Sequence, residues 1–156
     1  SHNTPSAIVL SRQKVPYINP INSTENKCEK GAYVVNITSH ESNVTLVASG
    51  TEVELALKVQ EKLKENNIHS KVVSMPCMEL FDKQPEDFCN DIIEENSLVV
   101  TLEAGSIMSW QKYIKNKGMN IGIDQFGDSA PYKEVYEHFG LSEEKITGFI
   151  QKKLRE

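Results

Sequence analysis

The fold is decided by the segment Val44-Thr45-Leu46-Val47-Ala48-Ser49-Gly50-Thr51-Glu52-Val53-Glu54. Its first five residues form a short apolar run that is rich in β-branched side chains and is followed by Ser49-Gly50. This pattern predicts a buried strand and a tight turn. Thr51, with Glu54 three residues later, has the spacing of a capping box, so we expect a capped helix to begin here. A strand, a glycine turn and a helix form the first half of a βαβ unit.

The same alternation continues along the chain. From residue 31 onward the pattern is β-β-α-β-α-β-α-β-α-α, and residues 98–102 are apolar enough for a strand that is covered on both faces. Right-handed crossovers between such strands place helices on both faces of the sheet. The short polar turn that follows residues 31–36 predicts an antiparallel or edge position for that strand. We therefore predict an α/β fold with a mixed, mostly parallel five-stranded sheet whose first strand is antiparallel.

The composition indicates one globular domain with a short segment before it. The 156 residues carry a net charge of −5 with scattered basic residues, which gives no footprint for nucleic acid. No apolar run approaches the ~20 residues that span a bilayer, and no signal-peptide pattern opens the sequence, so we expect a cytoplasmic protein without a membrane anchor. Residues 14–30 lose periodicity and are typical of a linker. The strand predicted at residues 7–10 lacks a nearby partner, which suggests a missing upstream part.

Two predicted strand ends carry candidate functional residues. Ser49-Gly50-Thr51 stands at a helix N-terminus, which can bind an anion, although a single glycine and the capping box favour an ordinary turn. Glu103 follows a buried strand, and ligands of open α/β sheets bind outside such ends. Its carboxylate could act as an acid or base, pair across an interface, or simply accept hydrogen bonds from nearby backbone N–H groups. The residues alone leave these alternatives open.

Two further candidates are a loop and an arginine. The loop, residues 126–131, begins Phe-Gly-Asp-Ser, and Ser129 could line a crevice. Because Ser129 stands where a diphosphate-binding Gly-Asp-Gly motif has its last glycine, and no Asn pair follows, we reject a metal–diphosphate site here. Arg12 follows an apolar strand, and a guanidinium suits a phosphate or a carboxylate, but taken alone a surface arginine is the simpler interpretation. The histidines lack metal-ligand spacing.

Taken together, several short blocks are similar in order and spacing to the C-terminal part of the transketolase family. The blocks cover nearly the whole chain and are Leu10–Gln13, Gly31–Val34, Ala48–Glu54, Val72–Pro76, Phe81–Gln84, Glu103–Gly105 and Phe126–Pro131. The resemblance implies a three-layer α/β/α domain at residues 31–156. It implies that residues 1–30 are the tail of the preceding pyrimidine-binding domain together with a linker.

The resemblance also implies a function for a longer parent enzyme. Such a parent is a homodimer of the pentose phosphate pathway that uses thiamine diphosphate and Mg²⁺ or Ca²⁺. It transfers a two-carbon ketol unit between ketose and aldose phosphates. The cofactor is held by other domains, so we expect this chain alone to bind no cofactor and to be non-catalytic. In the family the arginine of the Ser-Arg-Gln segment contacts the substrate phosphate, which implies that role for Arg12.

Two other classes of function remain open from the sequence. The chain could be an autonomous regulatory domain that binds a small molecule or nucleotide near Glu103 and Ser129, or a dimerisation scaffold. Ligand titration of the chain would identify the former, and sedimentation across a dilution series would identify the latter.

Overall fold

The structure is a computed structural model that describes residues 5, 7, 10, 11, 13–18, 26–114 and 118–156. A 3₁₀ helix at Lys27–Lys30 precedes the sheet, and a second one lies at Met108–Tyr113. The strands are β1 (Tyr33–Ile37), β2 (Val44–Ala48), β3 (Ser70–Ser74), β4 (Leu98–Leu102) and β5 (Met119–Ile121). The helices are α1 (Glu52–Glu65), α2 (Met78–Phe81), α3 (Glu86–Ile92), α4 (Tyr132–His138) and α5 (Glu143–Lys153).

The five strands form one mixed sheet in the order β1-β3-β2-β4-β5. β1 is antiparallel to β3, and the other pairs are parallel. The prediction of five strands with the first one antiparallel is therefore confirmed. The three central strands, β2, β3 and β4, are fully buried, as expected when helices cover both faces.

The two faces of the sheet carry separate apolar cores. Along β2, Leu46 packs toward one core with residues of α1 and α5, whereas Val47 packs toward the other. The second core contains Phe81 of α2 and Trp110 of the second 3₁₀ helix. This alternation follows from the period of two in a strand, and it gives the three-layer α/β/α arrangement. Among the described residues, no helix combines the length and the apolar character that crossing a lipid bilayer requires.

The predicted capping box at the start of α1 is wrong. Thr51 already has helical backbone angles, φ −67° and ψ −27°, and its side chain makes no capping hydrogen bond. Its hydroxyl donates instead to Oε1 of Glu52, at 2.6 Å. A capping residue needs extended backbone angles to turn its side chain toward the free N–H groups, and Thr51 lacks them. Gly50, with φ +54°, makes the tight turn that the sequence predicts.

Candidate functional site

The sheet brings the carboxyl ends of β2 and β4 side by side, and we call the position just beyond these two strand ends the crevice. These strands are neighbours, but the chain leaves β2 toward α1 on one face and leaves β4 toward the second 3₁₀ helix on the other. Such a divergence is the topological switch point where open α/β sheets bind ligands. Ser49 follows β2 and Glu103 follows β4, so both line this crevice.

Glu103 is a half-buried carboxyl group held by side chains. The Trp110 indole N–H donates to its Oε2 at 3.1 Å, and the Ser49 hydroxyl also hydrogen-bonds to it. Burial raises the pKa of Glu103, the nearby Glu52 charge raises it further, and the two hydrogen bonds oppose the shift. The hydrogen bonds described for the Glu103 carboxylate therefore come from an indole and a hydroxyl, and not from the backbone N–H groups that the sequence left open as partners. Trp110 is buried and packs in the second core.

A second carboxylate, which the sequence analysis missed, lies beside Glu103. Glu52 is only 5% exposed, and its Oε1 accepts hydrogen bonds from the Tyr136 hydroxyl at 2.5 Å and from Thr51. Burial, followed by the hydrogen bond to Glu52, raises the pKa of Tyr136 to about 12. Glu52 falls on the buried stripe of α1 with Ala56 and Val59, and a charged residue on an apolar stripe is the signal that could have identified it.

The backbone N–H groups that the sequence offered as an anion site at the N-terminus of α1 already have hydrogen-bond acceptors. The backbone N–H groups of residues 52, 53 and 54 donate to the carbonyls of residues 49, 50 and 51. The Glu52 carboxylate also supplies negative charge at this positive end of the helix dipole. With Glu103 and Glu52 together, the crevice suits a cation or a hydrogen-bond donor rather than a phosphate.

The loop at residues 126–131 does not fit a metal–diphosphate group. Ser129 is exposed, and its N–H donates to Oδ1 of Asp128 at 3.3 Å. The other Asp128 oxygen lies 3.9 Å from Nε2 of His138. Among the described residues, no hydrogen bond joins Ser129 to Glu103, and no group of three His, Cys, Asp or Glu side chains could hold a metal ion.

Arg12 lies outside the described residues. The residues after it, Gln13–Val15, line a cavity of 360 Å³ together with Tyr132 and Tyr136. Farther along the same segment, Ile18 packs against the core that contains α1 and α5. The segment that follows Arg12 therefore contacts the α/β domain.

Comparison with known proteins identifies the family. A family model described as the transketolase-like TK C-terminal domain matches residues 31–142. The chain is 36% identical to the transketolase of Aquifex aeolicus over 153 residues, which cover 97% of this chain and 22% of that protein. It is 38% identical to the chloroplastic transketolase of Solanum tuberosum over 146 residues, covering 92% of this chain and 19% of that protein.

Solved structures agree with these sequence relatives. A Pichia stipitis transketolase in complex with sedoheptulose 7-phosphate has a TM-score of 0.83 at 27% identity, covering 92% of this chain and 20% of that one. The Campylobacter jejuni transketolase has a TM-score of 0.75 at 34% identity, covering 86% of this chain and 20% of that one. The chain thus spans about a fifth of the length of these relatives. The mixed sheet, the match over residues 31–142 and the identity along nearly the whole chain establish that it belongs to the transketolase-like TK C-terminal domain family.

Proposed function

We propose that the chain is the C-terminal domain of a longer transketolase polypeptide that transfers a two-carbon ketol unit between ketose and aldose phosphates. The observation that carries this proposal is the 36–38% identity to transketolases over more than nine-tenths of the chain. The sedoheptulose 7-phosphate bound to the Pichia stipitis relative supports sugar phosphates as substrates. An autonomous regulatory domain and a pure dimerisation scaffold are not favoured, because the family match already accounts for the fold.

The domain boundaries follow from the same proposal. Residues 31–156 form the C-terminal α/β domain, and residues 1–30 are the end of the pyrimidine-binding domain with its linker. The family match that begins at residue 31 supports this division. The parent is proposed to be a cytoplasmic homodimer of the pentose phosphate pathway, without nucleic acid or membrane partners.

Thiamine diphosphate and its Mg²⁺ or Ca²⁺ belong, in this proposal, to other domains of the parent. The described residues offer no metal cluster, and the Asp128 side chain faces His138 rather than a diphosphate cradle. The cofactor supplies the carbanion chemistry of ketol transfer when it is bound. This chain contributes substrate binding through Arg12, whose guanidinium can hold two oxygens of a remote phosphate and so position the substrate.

An acceptor comparison tests this role for Arg12. In the intact polypeptide, with hydroxypyruvate as donor, Arg12→Ala should lower kcat/KM for ribose 5-phosphate at least ~tenfold, because a charge-assisted contact contributes about 1.5–3 kcal/mol. The kcat/KM for unphosphorylated ribose should change much less. Arg155→Ala is the matched control, since Arg155 is the other arginine of the chain and is exposed near its end.

Each part of the proposal has its own contrary result. An equal loss with ribose and ribose 5-phosphate would make Arg12 structural. Turnover by the purified 156-residue chain with thiamine diphosphate and Mg²⁺ would contradict the non-catalytic assignment. An intact polypeptide that lacks ketol transfer under the same conditions would remove the proposed function altogether.

A further inference from the structure

Two loops at the carboxyl edge of the sheet are joined into one unit. We call residues 103–108, from the end of β4 to the first residue of the second 3₁₀ helix, and residues 122–126, after β5, the carboxyl-edge loops. The Glu103 N–H donates to the Ile121 carbonyl at 3.0 Å, and the Ile123 N–H donates to the Gly105 carbonyl at 2.8 Å. Oδ1 of Asp124 accepts from the Ser106 hydroxyl at 2.9 Å and from the backbone N–H of residue 107 at 3.1 Å. The ladder between β4 and β5 thus continues into both loops.

The carboxyl-edge loops expose two large apolar side chains. Phe126 is 100% exposed and Met108 is 79% exposed, more than any other large apolar residue described between residues 31 and 156. A single exposed apolar residue needs no explanation, but these two lie on loops that hydrogen bonds hold together, so both belong to one edge of the sheet. Phenylalanine and methionine are also enriched in the buried centres of protein interfaces.

The charges of this surface are all negative. Residues 103–108 and 122–126 contain Glu103 and Asp124 but no lysine, arginine or histidine, and the next acidic residue, Asp128, lies 3.9 Å from Nε2 of His138. Glu103 lies half-buried in the crevice, and Asp124 lies exposed beside Met108. Charge complementarity therefore selects a partner surface that is apolar at its centre and basic around it.

We propose that the carboxyl-edge loops are the surface on which the preceding part of a transketolase polypeptide packs, through an apolar face with basic residues. This inference rests on the proposed function. The relatives are about five times as long as this chain, so in them the domain has a large covalent neighbour. A covalent neighbour is present at a high effective concentration, and it can cover a small apolar surface that would not hold a free partner.

Hydroxyl-radical labelling of the 156-residue chain and of the intact polypeptide tests the inference. Labelling of Phe126 and Met108 should be at least about fivefold slower in the intact polypeptide, because interface centres exclude water. Phe149, which is 48% exposed on α5, is the control, and its labelling should change less than about twofold. Phe126→Ser should leave the thermal midpoint of the 156-residue chain unchanged and lower that of the intact polypeptide.

The outcomes separate this inference from the proposed function. Equal labelling of Phe126 in both samples, with ketol transfer by the intact polypeptide, would overturn the inference alone. Protection of Phe126 in the 156-residue chain that increases with its concentration would assign the surface to a second copy, and would also overturn it. Protection of Phe126 and Met108 in an intact polypeptide without ketol transfer would support the packing and remove the function.

Discussion

Glu94→Ala should lower the free energy of unfolding more than Lys71→Met does, although Glu94 and Lys71 form one ion pair. Lys71 lies on β3 with only 2% of its side chain exposed. Its Nζ donates to Glu94 Oε1 at 2.6 Å and to the Asp91 carbonyl at 2.9 Å. The pair ties the end of α3 and the turn after it to the sheet. Removal of Glu94 leaves a buried ammonium group with one of these two partners.

The magnitude follows from the burial of the two groups. Leaving one charge of a buried pair without its partner costs roughly 3–5 kcal/mol. The Glu94 side chain is 33% exposed, so water can partly replace it, and about 1–3 kcal/mol is expected. Lys71→Met keeps the apolar stem and removes the charge, so it should change the free energy of unfolding by less than ~1.5 kcal/mol.

Urea unfolding of the two single variants and the double variant at pH 7 measures the coupling. In the Lys71→Met background, Glu94→Ala should cost less than about 0.5 kcal/mol, because no buried charge remains. Lys58→Ala is the control for an exposed pair. Its Nζ is 2.8 Å from Glu54 Oε1 with 51% of the Lys58 side chain exposed, and about 0.3–0.5 kcal/mol is expected. An equal cost of Glu94→Ala in both backgrounds would refute the reasoning.

Three further predictions concern backbone strain, the buried carboxylate and pH. Gly31→Ala should cost more than about 3 kcal/mol in urea unfolding, since φ is +85° and a Cβ would overlap the backbone nitrogen of Phe81. Gly140→Ala, with φ +80° and open space, should cost about 1–2 kcal/mol. Tyr136→Phe should cost about 1–3 kcal/mol by removing a donor to a buried carboxylate, and Tyr132→Phe, at an exposed position, should cost almost nothing; equal losses would contradict this. Because the folded pKa of Glu103 is raised, its contribution to stability is present below the unfolded pKa and is lost as pH rises through the folded pKa. The stability of Glu103→Gln relative to the parent should therefore increase as the pH rises above the unfolded pKa of a glutamate, about 4.3, and a difference that is constant with pH would argue against the shift.

The sheet and its order of elements could be predicted because their signals are local. The apolar run at residues 44–48 and the glycine turn after it specify a buried strand, and the short polar turn before it indicates that the preceding strand is antiparallel or at an edge. The pairing of that edge strand with β3 rather than with β2 is not a local signal. The start of α1 was predicted with the wrong cap, because a sequence spacing cannot reveal that Thr51 has helical backbone angles. The helix itself still forms, since its apolar stripe packs on the sheet.

The polar cluster of the crevice could be predicted only in part. Glu103 could be predicted because it follows a buried strand, and ligands of open α/β sheets bind beyond the carboxyl ends of such strands. Its neighbours Glu52 and Tyr136 are far apart in sequence, and their hydrogen bond exists only after α4 packs near α1. No local pattern encodes that contact. The buried Lys71 likewise resembles an ordinary polar residue at a strand end until α3 is in place.

The insertion of β3 between β1 and β2 has a consequence for the order in which the domain can assemble. β1 and β2 are joined by the short turn at residues 38–43, yet they do not pair, and within the described part of the chain β1 pairs only with β3. During synthesis β1 leaves the ribosome before α1 and β3, so the strand that comes first in the chain must wait for a later one. A β1–β2 hairpin is the competing arrangement in that interval, and it would occupy the edge of β2 that β3 needs. Closure of the long loop between β1 and β3 is therefore, with the still longer closure that pairs β2 with β4, a non-local step that should slow folding of this domain.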